Sequence, residues 1–396
     1  MSLLVTRYSL ATSTWGDEEI AAIQEVIQSG RFTMGQQVAT FEEDFAKYVG
    51  SKYAVMVNSG SSANLALLAA CRYRNNPLIK PGDEILVPAV SWSTTYYPVN
   101  QLNATLKFVD VDPETLNIDV DKVEAAITSK TRAIFVVNLL GNPADWVQLR
   151  RIAIEHNLLL LEDNCESLGA TLDGSSAGTF GFGGTYSSFF SHHISTMEGG
   201  VVVTDDESLF HTLKSIRAHG WTRDLPHENH VHNKTGSPWD DLYRFVLPGY
   251  NLRPIEMEAA VGRIQLLKLD SFIHERRKNA KHFAAITKNL AGYRIQKENG
   301  NSSWFGFSII LEGKLRGHRG ALIDALDAAQ IESRPIVTGN FTRNPVIAHL
   351  DHAPIGALPG ADQVHDQGLF VGNHHYDLTG EIDTLAEVLD QFQRRY

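Results

Sequence analysis

The segment AIFVVNLLGNPADWVQLRRIAIEHNLLLLEDN, residues 133–164, decides the fold of this chain. Its aliphatic run 133–137 predicts a buried strand, 147–156 has the apolar spacing of an amphipathic helix, and 158–161 predicts a second buried strand. A strand, a crossover helix and a second strand make a βαβ unit, in which the two strands are parallel. The segment therefore predicts a parallel sheet with helices packed on its faces.

The same alternation of strands and helices continues upstream of this segment. Aliphatic runs predict strands at 53–57, 84–88 and 105–110. Helix-forming residues with apolar spacing predict helices at 17–27, 37–48 and 63–70, from residue 94 onward, and at 120–127. We therefore expect an α/β fold with a mainly parallel sheet that helices cover on both faces.

The pattern changes in the last third of the chain. Residues 222–250 are polar with little periodicity, which predicts a long loop. A helix at 255–269 then leads into a second unit, for which we predict a strand at 304–311 and helices at 320–329 and 380–395. We expect a large domain, residues 1–254, followed by a smaller C-terminal α/β domain, residues 255–396.

The composition restricts the partners of the protein. The chain has 35 basic and 46 acidic residues and a net charge of −11, which argues against a nucleic-acid-binding surface. Its two cysteines, Cys71 and Cys165, cannot build a disulfide framework or a four-cysteine metal or cluster site. Residues 1–7 lack a signal-peptide core, and no run reaches the ~20 apolar residues of a membrane-spanning helix. We expect a cytoplasmic protein that binds neither nucleic acid nor membranes.

Small and hydroxyl-bearing residues come after the strand predicted at 53–57. Ligands collect at the carboxyl ends of parallel strands, and this position holds the turn NSGSSAN, residues 58–64, with Gly60 and Ser61. Free backbone N–H groups at a helix N-terminus, with hydroxyls beside them, suit a phosphate. A capping turn that uses Ser61 or Ser62 explains the same residues equally well.

Two other strand ends carry residues that suit a flat, nitrogen-containing ring. Asp163 follows the leucine-rich strand, and a buried carboxylate there needs a partner such as a protonated ring nitrogen. The alternative is that Asp163 caps the next turn of the chain. Trp92 follows the strand at 84–88, where its face could stack on a planar cofactor, although a core position is the commoner place for a tryptophan.

The stretch SSFFSHHISTMEGG, residues 187–200, predicts a short strand, a polar turn and a glycine pair before the next strand. His192 and His193 lie on the turn, and an imidazole in a cleft can transfer protons near neutral pH. A loop with two solvated histidines is the simpler interpretation of this stretch taken alone. Three more histidines in the 222–250 loop lack a frame of carboxylates or thiolates, so we interpret them as solvated or substrate-lining rather than as a metal site.

Four segments together resemble the fold-type-I pyridoxal 5′-phosphate enzymes of the sugar aminotransferase and dehydratase family. They are SGSSA at 59–63, EDNCE at 162–166, the stretch 187–200, and GYNLRP at 249–254, and they occur in the family's order with similar spacing. The resemblance covers nearly the whole chain. It implies a large domain with a mainly parallel seven-stranded sheet and a smaller C-terminal domain.

The resemblance also implies roles for individual residues. By this resemblance, Gly60, Ser61 and Ser187 hold the cofactor phosphate. Trp92 stacks on the pyridine ring, Asp163 pairs with the ring nitrogen, and Glu166 lies near the ring hydroxyl. Asn251 would reach the phosphate of a neighbouring subunit's cofactor, which implies a homodimer with shared active sites. Only the resemblance supports His219 and Arg253 as contacts for the sugar nucleotide.

One position departs from the aminotransferase pattern. His192 stands where the aminotransferases carry the lysine that bonds to the cofactor, and an imidazole cannot form that bond. A histidine there resembles the sugar 3-dehydratases, with His192 as the catalytic base and the pyridoxal or pyridoxamine phosphate held noncovalently. One branch of these enzymes carries an iron–sulfur cluster, but only Cys165 matches its ligands, so we expect no cluster.

The cluster-free type that remains takes part in colitose and lipopolysaccharide O-antigen biosynthesis. It implies GDP-4-keto-6-deoxymannose and L-glutamate as substrates, loss of the hydroxyl at carbon 3, and release of ammonia. The alternatives are a sugar-nucleotide 4-aminotransferase, a 3-dehydratase for another nucleotide sugar, or a non-catalytic, cofactor-dependent scaffold. No residue of the sequence identifies the base of the nucleotide.

Overall fold

A computed structural model describes residues 7–396 of the chain. The expectation that the first residues carry no signal sequence falls on residues 1–6 and lies outside the described part. Within residues 7–396, no helix combines the length and the apolar character that crossing a bilayer requires.

The strands, in chain order, are β1 (Tyr53–Val57), β2 (Glu84–Pro88), β3 (Thr105–Val109), β4 (Thr131–Val137), β5 (Leu159–Asp163), β6 (Thr171–Leu172), β7 (Ser175–Ser176), β8 (Gly183–Ser187), β9 (Gly200–Thr204), β10 (Tyr293–Ile295), β11 (Gly306–Leu311), β12 (Ser333–Arg334) and β13 (Gly368–Gly372). The α-helices are α1 (Asp17–Ser29), α2 (Gln36–Val49), α3 (Gly60–Tyr73), α4 (Ser93–Gln101), α5 (Val120–Ala126), α6 (Trp146–Glu155), α7 (Glu207–Arg217), α8 (Pro238–Asp241), α9 (Glu256–Thr287), α10 (Arg319–Ala328), α11 (Pro359–Gln367) and α12 (Thr379–Arg395).

The large sheet has the strand order β1-β9-β8-β5-β4-β2-β3. Neighbouring strands are parallel, except that β9 runs antiparallel to both β1 and β8. The strands β2, β8 and β9 are buried along their whole length, as expected for a sheet covered on both faces. The predicted mainly parallel sheet of seven strands is confirmed. Nothing in the sequence pattern indicates the opposite direction of β9.

A second sheet lies in the C-terminal part of the chain, with the order β10-β11-β13-β12 and antiparallel pairing throughout. Its apolar side chains share one buried cluster with residues from α9, α10 and α12, including Phe283, Phe307 and Leu389. Of these strands the sequence pattern predicts only β11. The strands β10 and β12 have only three and two residues, and the five residues of β13 begin and end with glycine. The division of the chain at residues 254 and 255 into two domains stays a prediction.

The helix that joins the two regions is much longer than the pattern predicts. The prediction ended it at residue 269, but α9 continues to Thr287 and spans 32 residues. The charged stretch 274–282 interrupts the apolar spacing, yet it contains no glycine or proline to end the helix. Buried residues continue through it, among them Ile273, Arg276 and Phe283. The predicted end was therefore wrong.

Smaller differences in boundaries bear on the candidate site. The strand predicted at 158–161 extends to Asp163, so this carboxylate is the last strand residue. The strand predicted at 304–311 begins only at Gly306, since Trp304 has a left-handed backbone conformation with φ of 47°. The predicted loop 222–250 contains a single described helix, the four-residue α8.

Candidate active site

A cavity of about 480 Å³ opens at the carboxyl ends of the parallel strands. It lies where α3 and α4 begin and where β5 and β8 end, and it is closed on one side by the C-terminal part of the chain. The residues that line it are Ser59, Gly60, Ser61, Asn64, Ser91, Trp92, Thr94, Val137, Leu139, Asp163, Cys165, Glu166, Ser187, Phe189, Ser191, His192, Glu198, Phe305, Arg334 and Val337. Seven predicted site residues are therefore brought together, from segments more than 100 residues apart.

The N-terminus of α3 forms one end of the cavity. Ser59 is the N-cap, and its hydroxyl accepts a hydrogen bond from the N–H of Ser62 at 3.0 Å. In the alternative interpretation Ser61 or Ser62 was the cap, and that assignment is wrong because Ser59 takes this place. The N–H groups of Gly60 and Ser61 occupy the first helical positions, where no intrahelical acceptor exists. They are therefore placed to bind an anion.

Gly60 is required by its neighbours across the cavity wall. A Cβ atom at this position would lie 2.6 Å from Cβ of Ser187 and 3.0 Å from Sγ of Cys165. The close approach brings the hydroxyl at the end of β8 next to the start of α3. Amides and hydroxyls of these two elements make the donor set that a phosphate needs.

Asp163 lies at the floor of the cavity and is 4% exposed. One carboxylate oxygen accepts hydrogen bonds from Nδ2 of Asn64 at 2.8 Å and from the hydroxyl of Thr95 at 2.7 Å. The other accepts the N–H of Cys165 at 3.2 Å, so Asp163 also caps the turn after β5. The capping bond uses only part of the acceptor capacity of this second oxygen, so the carboxylate can cap the turn and still bind a ligand in the cavity.

Trp92 and Glu166 supply an aromatic face and a second carboxyl group to the cavity wall. Trp92 is 57% exposed at the N-cap of α4, so the core position considered for it is wrong. Its ring is open to a planar partner. Glu166 accepts the N–H of Leu140 at 3.0 Å, and burial raises the pKa of its carboxyl.

His192 lies deep in the cavity with one edge open to it. Its ring packs against the rings of Phe305, 5.1 Å between centroids, and Phe189, 6.0 Å away. Nδ1 is buried and has no hydrogen-bond partner among the described residues. Burial, followed by the charges of Arg334 and Arg276, lowers the pKa of His192 to about 3. The imidazole is therefore neutral at cellular pH and can accept a proton.

His193 turns away from the cavity. It is 1% exposed, and its Nε2 hydrogen-bonds with the carbonyl oxygen of Ser303 at 3.1 Å. His193 is buried and His192 lines the cavity. The interpretation of both as solvated loop residues is therefore wrong.

Arg334 is a cavity residue that the sequence pattern does not single out. It is the one lysine or arginine that lines the cavity among the described residues. Its guanidinium stacks over the ring of Phe370 at 4.6 Å. The two-residue strand β12 that carries it is too short to leave a periodic signal.

Three predicted residues lie outside the cavity of their own chain. Arg253 donates to the side-chain oxygen of Asn251 at 3.0 Å, and the backbone segments that carry His219 and Asn251 are adjacent. The ring of Trp221 packs against His219 and lies below the guanidinium of Arg253, at 5.3 and 5.7 Å between centres. The chain alone does not bring Asn251, Arg253 or His219 to its own cavity.

The remaining polar candidates have separate surroundings. His230 pairs with Glu207 at 3.1 Å and His232 contacts Arg244 at 2.8 Å, so these two histidines of the 222–250 loop point to different partners. Among the described residues, the group suited to hold a metal by spacing is the exposed set Glu124, Glu155 and His156, none of which lines the cavity. Cys71 is buried in α3.

The cavity residues fit the phosphorylated pyridine that the sequence resemblance implies. One end offers unpartnered helix amides, the floor offers an oriented carboxylate without an ion-pair partner in the described chain, and the rim offers an aromatic face. Such a group would be held by its phosphate, its ring nitrogen and its face.

Residues 13–391 match the model of the DegT/DnrJ/EryC1/StrS aminotransferase family. The chain is 52% identical to GDP-4-keto-6-deoxy-D-mannose 3-dehydratase of Yersinia pseudotuberculosis over 98% of this chain and 100% of that protein. It is also similar to the solved Escherichia coli GDP-4-keto-6-deoxy-D-mannose-3-dehydratase with bound hydrated PLP, at a TM-score of 0.95 and 52% identity over 96% of this chain and 99% of the other. A further solved GDP-4-keto-6-deoxymannose-3-dehydratase contains a trapped PLP-glutamate geminal diamine and has a TM-score of 0.94 and 52% identity, over 96% of this chain and 100% of the other.

The buried histidine beside the site predicts a loss of stability in mild acid. Burial lowers the pKa of His193 well below its usual value, so the folded ring stays neutral where the unfolded chain, with a pKa of ~6.5, binds a proton. Acid therefore favours the unfolded chain, and stability falls as the pH drops below ~6.5. Between about pH 7.5 and 5.5, His193 should account for about 1 kcal/mol of this fall in the free energy of unfolding.

Urea unfolding of His193→Gln at these two pH values measures that contribution. The difference in the free energy of unfolding between the two pH values should be smaller than in the wild type by about 1 kcal/mol. His227→Gln, in which an exposed histidine is replaced, should show the wild-type difference. An unchanged difference in His193→Gln would contradict the neutral, buried state of this ring.

Proposed function

The chain belongs to the DegT/DnrJ/EryC1/StrS aminotransferase family, and we propose that it is a 3-dehydratase of that family rather than a transaminase. It removes the hydroxyl at carbon 3 of GDP-4-keto-6-deoxymannose, uses L-glutamate as the amino donor, and releases ammonia. The observation that carries the proposal is that no lysine is among the described residues that line the cavity, while His192 is. The 52% identical relative named above for this substrate supports it.

The cofactor is pyridoxal or pyridoxamine phosphate, held without a covalent bond to the chain. When bound, it carries the amino group and takes up the electrons released at the reacting carbon. Gly60, Ser61 and Ser187 bind its phosphate, Asp163 holds its ring nitrogen protonated, and Trp92 covers its face. Glu166 lies near its ring hydroxyl. These contacts replace the anchor that a lysine provides in the aminotransferases.

His192 is the catalytic base and then the acid. As a neutral imidazole it takes, at the nitrogen that faces the cavity, the proton that the reacting carbon loses. Its protonated form is unstable beside Arg334 and Arg276, both cations, so it releases the proton readily. The leaving hydroxyl of the sugar is the acceptor. Because an imidazole cannot recapture the cofactor, water can release ammonia after the hydroxyl has left.

Arg334 supplies the charge that binds glutamate. It is the cation that faces the cavity, and its guanidinium matches a carboxylate by two parallel hydrogen bonds. The solved relative with PLP-glutamate supports a glutamate site next to the cofactor. The assignment of GDP as the nucleotide rests on the relatives' names.

We propose that the active protein is a homodimer with shared sites. Asn251, Arg253 and His219 form a cluster outside their own cavity, where they are available to the cavity of a second subunit. Large apolar side chains are exposed at the cavity rim and in the 222–250 loop, where a second copy would cover them: Trp92, Phe189, Phe190, Met197, Trp239, Tyr243 and Phe245.

An assay of the product tests the function. Purified protein with pyridoxal phosphate, glutamate and GDP-4-keto-6-deoxymannose should form a nucleotide sugar that lacks one oxygen, detected by mass spectrometry. The CDP- and dTDP-linked 4-keto-6-deoxy sugars serve as the matched substrates, and they should react at least about tenfold more slowly, since a few lost contacts are worth about 1–3 kcal/mol. A 4-amino sugar as the product, or equal rates with all three nucleotides, would contradict the activity or the specificity proposed.

Complementation tests the shared site. His192→Asn and Asn251→Ala should each have little activity as separate homodimers. After the two are mixed under conditions that exchange subunits, about a quarter of the wild-type activity should return, since a mixed dimer has one site with both native residues. His192→Asn mixed with His192→Lys is the control and should recover nothing. No recovery with a confirmed mixed dimer would place Asn251 in its own subunit's site.

A further inference from the structure

Arg276 is a buried cation whose charge no carboxylate of the described chain offsets. It lies in α9 and is 4% exposed. Its Nη1 donates to the carbonyl oxygens of Asn373 at 2.7 Å, Phe305 at 3.1 Å and Trp304 at 3.5 Å. Burial lowers its pKa to about 10, which leaves it charged at neutral pH. Burying an unpaired charge is costly, so the presence of Arg276 at this position needs a structural or functional explanation.

The backbone that Arg276 holds is strained. Trp304 has φ of 47°, in the left-handed region that disfavours any residue with a side chain. Asn373 Nδ2 donates to the same Trp304 carbonyl at 2.9 Å. On the other side, the N–H groups of Ser303 and Phe305 donate to the carbonyl oxygens of residues 141 and 140 at 2.9 and 3.1 Å. The 303–305 segment is therefore fixed from two directions.

This segment forms the wall behind the catalytic histidine. The Phe305 ring packs against His192 at 5.1 Å and against His193 at 5.6 Å, and Ser303 accepts the hydrogen bond of His193. His192 Nδ1 has no hydrogen-bond partner in the described chain. Packing against the wall therefore orients its imidazole.

We propose that Arg276 is a positioning residue for His192: it holds the 303–305 wall so that Phe305 keeps the imidazole aimed into the cavity. The inference rests on the proposed function, in which His192 transfers the proton. A carboxylate partner would neutralise the charge of Arg276. Only hydrogen bonds to the carbonyl oxygens of Trp304 and Phe305 also fix the backbone of these two consecutive residues.

The positive charge of Arg276 also supports proton transfer by His192. The charged and titratable groups around His192 are Arg334, Arg276 and His193 on the packed elements, with the carboxylates of Asp163, Glu166 and Glu198 lining the same cavity. Burial and the two arginines lower the pKa of His192. A cation behind the ring favours the neutral base and, after proton uptake, the return of the proton to the substrate.

The test uses the full-length protein with 13C-labelled histidine, with and without pyridoxamine phosphate. The ring signal of His192 is identified by its absence in His192→Asn. In Arg276→Met the wall loosens, so this signal should shift or broaden. The kcat for deoxygenation should fall about tenfold or more, while KM for the sugar nucleotide should change less than about twofold. Arg276→Lys keeps the charge and a donor nitrogen, like the Nη1 that contacts the three carbonyl oxygens, and should recover most of kcat.

Arg277→Met is the matched control. Arg277 is the next residue of α9 and also donates to carbonyl oxygens, those of Ser302, Gly169 and Asn301. In Arg277→Met the His192 signal should keep its wild-type position and width. The value of kcat should stay within about twofold of the wild type. An unchanged His192 signal in folded Arg276→Met, or an equal change in Arg277→Met, would overturn the proposal.

Two further outcomes are distinguishable. If Arg276→Met does not fold, Arg276→Gln decides, since it removes the charge and shortens the side chain but keeps an amide donor. An unchanged His192 signal in folded Arg276→Gln would overturn the proposal. If the wild-type protein does not deoxygenate the sugar, the proposed function fails, but the comparison of His192 signals still tests the positioning role.

Discussion

The close approach of Gly60 to Ser187 is the constraint on which the site depends. A methyl group on Gly60 would lie 2.6 Å from the Cβ of Ser187, so only a glycine allows α3 to begin against the end of β8. This contact places the free amides of the helix, the serine hydroxyl and the residues after β5 side by side. The anion-binding end and the carboxylate floor of the cavity both depend on it.

The part of the site that the sequence predicts is the part built on the parallel sheet. Continuous aliphatic runs predict parallel strands, and the residues after such strands meet at one edge of the sheet, which is why Gly60, Trp92 and Asp163 could be grouped without a structure. The polar turn in 187–200 made His192 a candidate for proton transfer, and the family resemblance gave Ser187 and His192 their specific roles. The direction of β9 and the depth at which each of the two histidines lies depend on side-chain packing across the fold, so the sequence pattern carries no sign of them.

The rest of the site comes from the C-terminal region and is set by long-range packing. Arg334 lies in a strand of two residues, and Arg276 lies beyond the predicted end of α9, in a stretch whose charges hide its buried face. Phe305 follows a residue with a left-handed backbone that no local pattern indicates. Asn251 was predicted from the resemblance, and within one chain it stays away from the cavity.

A neutral histidine near the cations Arg276 and Arg334 separates proton transfer from cofactor attachment, and this separation is the central claim. The fate of the amino group tests it most directly. With 15N-labelled glutamate, pyridoxal phosphate and GDP-4-keto-6-deoxymannose, the account predicts that the label appears as free ammonium, one for each 2-oxoglutarate formed. Label that stays on the nucleotide sugar would contradict it, because it would show that the protein completes transamination without a lysine.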